Sequence, residues 1–238
     1  MIVAANRDEF FSRPSAPPQI LSEKPRILGG KDLLAGGTWL GVNEHGLLAG
    51  ILNRRYDSEK KQGPLRSRGL LCLDILTARS AAEARARLER EKSSAYQPFN
   101  LLCADAQEAY VAYNLEDEMA WIQLEKGLHI LTNTSVYDPR SKKMDHARDL
   151  FSRTREGLQQ NRGRSSWVRA LRATLSDHAR PQGSHSPKDS ICVHTESYGT
   201  VSSSIVFYAP AEKRFESYHT PEAPCRGDYG PCHSLGVP

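Results

Sequence analysis

No apolar stretch in this chain comes near the roughly 20 residues that a membrane-spanning helix requires, so no membrane span is expected. No dense Lys/Arg block and no basic arm occurs either. The 32 basic residues face 28 acidic ones, and the resulting net charge of +4 is spread along the chain. That excludes the electrostatic footprint of a nucleic-acid binder. The cysteines do not form an even, spaced set: Cys72, Cys103, Cys192, Cys225 and Cys232 are scattered and odd in number. Reduced thiols in a cytoplasmic protein are therefore expected, and a disulfide framework is not. The apolar run at the N-terminus is too short for a signal peptide and meets charge at once. Internal repeats and low-complexity tracts are also lacking.

What is present is the composition of a globular chain. At 238 residues it can bury one large core. The stretch that organises the rest is Met1-Ile2-Val3-Ala4-Ala5-Asn6-Arg7-Asp8-Glu9-Phe10, an apolar run that ends in four polar residues. The run reads as a buried strand. Alternation then sends Asn6 and Asp8 to one face and Arg7 and Glu9 to the other. Charges at the end of a buried strand must be paired or solvated. They form either a structural ion-pair cluster or the floor of a site.

Coarse patterning gives the remaining elements. Residues 12–37, with Pro14, Pro17, Pro18 and Pro25, read as loop-rich. Thr38–Val42 and Leu47–Leu52 read as a hairpin around Asn43-Glu44-His45-Gly46. A helix is expected around Leu70–Leu76, and a second after a capping box at Ser80–Glu83. Phe99–Ala104, Glu108–Leu115, Met119–Leu124 and Leu128–Thr132 read as an antiparallel meander. A helix over 141–160 has Ala147, Leu150, Phe151, Thr154 and Leu158 on one face. A second, capped by Ser165 or Ser166, runs to Leu175. Strands follow at 190–194, 202–208 and 215–219, and 221–238 reads as a surface tail. The order suggests an α+β chain with two packed antiparallel sheets and helices outside, in one domain over 1–238.

Several of these segments together resemble one family. Ala5-Asn6-Arg7-Asp8-Glu9-Phe10 with Ser12-Arg13-Pro14, Gly36-Gly37-Thr38-Trp39-Leu40-Gly41, Phe99-Asn100-Leu101, Leu131-Thr132-Asn133 and Tyr198-Gly199-Thr200 resemble the signatures of the NRDE family, also called the transport and Golgi organisation 2 family. The resemblance implies the four-layer αββα fold of N-terminal-nucleophile hydrolases of the bile-salt hydrolase and penicillin V acylase type. It also implies a further strand upstream of Met1, so the chain reads as N-terminally shortened.

By the same resemblance, Arg7 and Asp8 stand where such hydrolases keep an Arg that favours a thiolate and an Asp that holds the nucleophile's amine. Asn133 stands at the oxyanion-donor position. The residues alone leave Asn133 open to a turn-capping role. The pattern is broken in two places. No cysteine lies near the start, and Gly199-Thr200-Val201-Ser202 has Val201 where many members carry Arg.

Resemblance also places Gly37, Thr38 and Trp39 beside the floor of Asn6, Arg7, Asp8 and Glu9, as one wall of a ligand pocket. Trp39 by itself reads as a core aromatic. Arg54 and Arg55, with Tyr56, Lys60 and Lys61, read as a solvated basic edge or as the receiver of an anionic head group. Cys192-Val193-His194, Cys225 and Cys232-His233 contain metal-ligand residue types. They lack the short paired spacing of a zinc knuckle, so no metal is assigned.

Three functions follow as expectations. The first is handling of an amphipathic anion, haem or an acyl lipid, on a hydrolase-like fold. The sequence carries no Cys-Pro or Cys-x-x-Cys-His haem signature, so haem enters as cargo and no cofactor is assigned. The second is a cysteine amidohydrolase, if an upstream cysteine exists. The third is a trafficking or interaction factor, as the family's Golgi name suggests. Oligomeric state is not legible.

Overall fold

The computed structural model describes residues 1–55, 65–115, 118–160, 163–184 and 186–238. Tyr56, Lys60 and Lys61 lie outside the described residues. Eleven strands are described: β1 (Ile2–Phe10), β2 (Ser15–Glu23), β3 (Arg26–Asp32), β4 (Leu40–Asn43), β5 (Leu48–Asn53), β6 (Phe99–Ala104), β7 (Ala109–Leu115), β8 (Glu118–Gln123), β9 (Tyr198–Ala209), β10 (Arg214–Thr220) and β11 (His233–Gly236). The helices are α1 (Arg68–Ile75), α2 (Ala81–Leu88), α3 (Lys142–Gln160) and α4 (Arg164–Leu175).

The strands form two antiparallel sheets. One runs β1-β9-β10-β11, the other β2-β3-β4-β5-β6-β7-β8. Leu28, Leu40, Val42 and Leu48 of the larger sheet meet Val206, Phe215 and Leu235 of the smaller one in a core between the sheets. The opposite faces carry the helices. Leu71, Cys72, Ile75 and Leu88 pack α1 and α2 on Ala49, Leu101 and Cys103. Ala147, Leu171 and Leu175 pack α3 and α4 on Ile205 and Phe207. The result is the expected four-layer αββα sandwich. Successive strand residues bury alternate faces, Leu48 inward and Ala49 toward the helices, so the central strands are apolar throughout.

The structure differs from the sequence reading in several segments. Residues 12–37 hold the β2–β3 hairpin rather than loops. Pro17 and Pro18 are tolerated because β2 is the edge strand and its register shifts between Ala16 and Gln19. Residues 128–132 form no strand; Leu131 and Val136 instead cover one face of β6–β8 as irregular chain. Residues 190–194 are irregular, with a single bridge from His194 to Gly199. The N-cap of α4 is Gly163, not a serine. The stretch 221–238 contributes β11, whose Leu235 is buried in the core between the sheets. The Ser80 cap on α2 forms as expected, its hydroxyl accepting from Glu83 N at 3.1 Å.

No described helix is long and apolar enough to cross a membrane.

Candidate functional site

The charged end of β1 sits at one end of the sandwich, against the start of β9. The ladder runs Arg7 against Ser202, then Asp8 against Thr200, so Val201 is an unpaired bulge. A bulge re-aims neighbouring side chains. Alternation otherwise holds as expected. Ala4 and Asn6 face the helices, while Val3 and Ala5 join the core between the sheets.

On the inter-sheet face, the Arg7 guanidinium lies over the Trp39 ring at 4.5 Å, and its Nη1 donates to Ser15 Oγ at 3.5 Å. Arg7 is only 8% exposed. Burial holds its pKa below the ordinary value, while nearby Glu9 and Asp32 act the other way. Such a stacked, desolvated cation is worth about 2 kcal/mol of attraction to the ring. Arg13 donates from Nε and Nη2 to Asp32 Oδ2, both at 2.7 Å. Asp32 Oδ1 accepts from the Leu34 and Ala35 amides. Burial pushes the Asp32 carboxyl up, but the Arg13 hydrogen bond and these two amides together outweigh it and hold Asp32 below the usual carboxylate range. Ser202, directly across from Arg7, is buried, and its hydroxyl has no hydrogen-bond partner among the described residues.

The Gly-Gly-Thr-Trp segment is shaped by close approach. A Cβ on Gly37 would lie 2.1 Å from the Gly69 carbonyl carbon, at the start of α1. A Cβ on Gly30 would enter the Trp39 ring at 2.5 Å. The Trp39 ring therefore packs closely on the β3 backbone at Gly30, with the Arg7 guanidinium 4.5 Å from its centroid. The buried Thr38 holds this loop by donating from Oγ1 to Leu40 O at 3.1 Å, and Thr38 N donates to Gly69 O at 3.0 Å.

On the helix face, Asp8 Oδ1 accepts from Thr200 Oγ1 at 2.6 Å. Burial raises the Asp8 carboxyl above its ordinary value, opposed by Lys143, Thr200 and His194. Lys143, in the first turn of α3, is lowered by burial and supported by Asp8. Its Nζ donates to Lys188 O at 3.0 Å. Tyr198 joins the two faces. Its hydroxyl donates to Asp8 O at 3.3 Å, its ring meets Phe10 edge-on at 5.4 Å, and burial pushes its pKa up to about 12. Arg55 pairs with Asp189 at 3.5 Å.

Not every sequence-identified residue points into this cluster. Asn6 Nδ2 donates to Leu175 O and Ile191 O, bracing β1 to the end of α4. Glu9 accepts its own neighbour's amide, Phe10 N, at 2.9 Å and lies 3.9 Å from Arg13. Asn133 Nδ2 donates to Asn53 O at 2.6 Å, while Asn133 O accepts from Arg55 N at 2.8 Å. That amide therefore clamps its loop to the end of β5. Arg54 donates to Asn100 Oδ1 and Ser135 Oγ and lies over Tyr113 at 5.0 Å, a bracing set on β6 and β7.

Lys143, Tyr198, Thr200, Arg13 and Asp32 carry no individual role legible in the sequence. Lys142-Lys143 opening a helix opposes the macrodipole, and that local misfit is the available signal.

The cluster has an apolar rim. Phe10 and Phe11 are 55% and 52% exposed, Leu33 and Leu34 54% and 71%. Leu33 N donates to Pro14 O, so the two apolar pairs flank the Arg13–Asp32 pair. A surface concavity of about 350 Å³ beside Glu91, Glu118 and Trp121 does not include these residues.

Comparison with known proteins gives consistent answers. Conjugated bile acid hydrolase from Clostridium perfringens, as the crystal structure of a variant, matches with a TM-score of 0.58 at 11% identity, covering 99% of this chain and 88% of that one. Penicillin V acylase from Agrobacterium tumefaciens matches with a TM-score of 0.56 at 12% identity, covering 92% and 80%. These likenesses establish an N-terminal-nucleophile-hydrolase-like fold and nothing finer.

In sequence, the Transport and Golgi organization protein 2 homolog of Bos taurus is 28% identical over 87% of this chain and 81% of its own length. The Mus musculus homolog is 31% identical over 63% of this chain, and the chain spans 56% of that relative. The family model described as Transport and Golgi organisation 2 matches residues 1–217. The chain belongs to the transport and Golgi organisation 2 family.

Proposed function

We propose that this chain binds an amphipathic organic anion of the haem or long-chain acyl type at the end of the sandwich where β1 meets β9. One observation carries the reading: four exposed apolar side chains, Phe10, Phe11, Leu33 and Leu34, border a group of partly buried cations. Exposed apolar surface at one place on a molecule marks a binding surface. Arg7, Arg55 and Lys143 supply the charge for a carboxylate or propionate head group. Trp39 and the rim supply the apolar wall. Ser202 Oγ is a further donor without a partner among the described residues. The relatives are named for transport and Golgi organisation, and a transport-related role for this chain is part of the same proposal.

The second reading is amide hydrolysis. It is favoured by the Arg7–Asp8 pair on a hydrolase-like fold and requires a thiol beside Arg7. Its test is thiol-reagent-sensitive release of product from acyl-amide substrates by a chain carrying an N-terminal cysteine ahead of residue 1.

The binding reading is tested by titrating the chain with haemin and with a fluorescent long-chain fatty acid. It expects saturation at one equivalent of each, with one displacing the other. Slow, non-saturating uptake of both contradicts it.

A further inference from the structure

A second cluster lies on the helix side of Asp8, built from three separate stretches of chain. His178 follows α4, Cys192 and His194 lie in the irregular segment before β9, and Cys225 follows β10. The Cys192 and Cys225 sulfurs are 3.7 Å apart. His194 Nε2 is 3.5 Å from Cys192 Sγ and 3.3 Å from Cys225 Sγ. With His178 added, all four ligand atoms lie within 4.8 Å of one another. The His178 and His194 rings stack at 5.0 Å, 14° from parallel.

These separations have a specific meaning. A tetrahedral zinc with bonds of about 2.3 Å to sulfur and about 2.0 Å to nitrogen sets its ligands apart by about 3.8 Å for sulfur–sulfur and about 3.5 Å for sulfur–nitrogen. The three pairs among Cys192, His194 and Cys225 fall close to those edges. Two thiolates and two neutral imidazoles around a divalent cation also leave the site without net charge, which suits its partly buried setting.

We infer that His178, Cys192, His194 and Cys225 form a structural zinc site. Binding deprotonates both thiols and releases two protons to solvent. Four protein ligands close the coordination sphere, so the metal staples chain and offers no open position for catalysis.

The surrounding bonds hold the ligands in place before metal arrives. Cys192 N donates to Asp177 O at 2.8 Å, and Ser190 Oγ donates to His178 O at 3.0 Å. Thr200 links the two clusters, since its Oγ1 accepts from Val193 N at 2.9 Å and donates to Asp8. The metal would brace the floor at Asp8 without touching a ligand there. No sequence pattern marks this site, because its residues share no knuckle spacing; only the fold brings Cys225 across to Cys192. The inference stands independently of the anion-binding proposal.

The test uses the whole chain, purified without a histidine tag. Elemental analysis is expected to find one equivalent of zinc. Exchange into cobalt(II) is expected to give the intense visible absorption of a tetrahedral, thiolate-ligated ion. Cys225→Ser and His194→Gln should each weaken cobalt binding at least tenfold, whereas Cys232→Ser, an exposed thiol outside the cluster, should leave it unchanged. If the cluster variants fail to fold, competition of a chelator against the wild-type chain still measures the site. Absence of stoichiometric metal, together with no tetrahedral cobalt spectrum, overturns the inference. So does a Cys192–Cys225 disulfide in a peptide map of the native protein.

Discussion

Asp8 and Lys143 are perturbed in opposite senses, the acid upward and the amine downward, and in both cases burial is the leading cause. Each charge therefore loses more by desolvation than the partner returns. Buried opposite charges of this kind are often replaced without loss of stability. Asp8→Asn combined with Lys143→Met is expected to raise the unfolding free energy by about 1–2 kcal/mol in urea titration, while anion binding falls. A double variant less stable than wild type would show that the pair supports the fold. The pH dependence has a defined sign. Because the folded Asp8 carboxyl sits above its ordinary value of 3.8, the folded state holds more protons between that value and the raised one. This contribution makes stability fall as pH rises through the window. Asp8→Asn should remove it, visible as a flatter profile of melting temperature against pH in that range. At this scale the sequence discloses Arg7 and Asp8 through strand alternation and family resemblance. It does not disclose Lys143, which acts on Asp8 through its charge from a helix distant in sequence. Nor does it show that the Asn133 and Arg54 side chains serve as clamps.

Elements are legible where one periodicity dominates. The β6–β7–β8 meander and the α3 stripe follow directly from apolar spacing. The β2–β3 hairpin is hidden because its prolines read as breaks, although an edge strand tolerates them. Residues 190–194 look like a strand in composition, yet they carry Cys192 and His194 into the metal-type cluster instead of a ladder. The contact between the β3–β4 loop and the start of α1 is the tightest junction near the site. Gly37→Ala would place a methyl group within 2.1 Å of the Gly69 backbone, where no flexible side chain can move aside. The substitution is expected to cost about 1–3 kcal/mol in equilibrium unfolding and to shift Trp39 from Arg7, changing the indole fluorescence. A fully stable Gly37→Ala protein with unchanged fluorescence would contradict this packing.

The whole molecule joins two sheets across one core, and His219 lies in that joint. His219 is 6% exposed, with Nδ1 2.9 Å from Ser204 Oγ, and burial lowers its pKa to about 4 with a smaller effect of His233. Its folded value lies below its unfolded one, so the unfolded state binds more protons between about pH 4 and 6.5. The stability that depends on neutral His219 is complete above that range and is lost as pH falls through it. A loss of about 2–3 kcal/mol by pH 4 is expected. His219→Gln should flatten the acid limb of the unfolding curve, and an unchanged acid limb would remove this explanation.

At the same scale, the apolar rim and the cations beneath it carry the proposal that the charged end of the sandwich receives an amphipathic anion. The most direct measurement compares a long-chain fatty acid with the alcohol of the same chain length, on wild type and on Arg7→Gln. Saturable binding of the acid to wild type is expected, at least tenfold weaker for the alcohol and for the acid on Arg7→Gln, as follows from loss of one charge-assisted contact. Equal affinity for acid and alcohol, unaffected by Arg7→Gln, would contradict it.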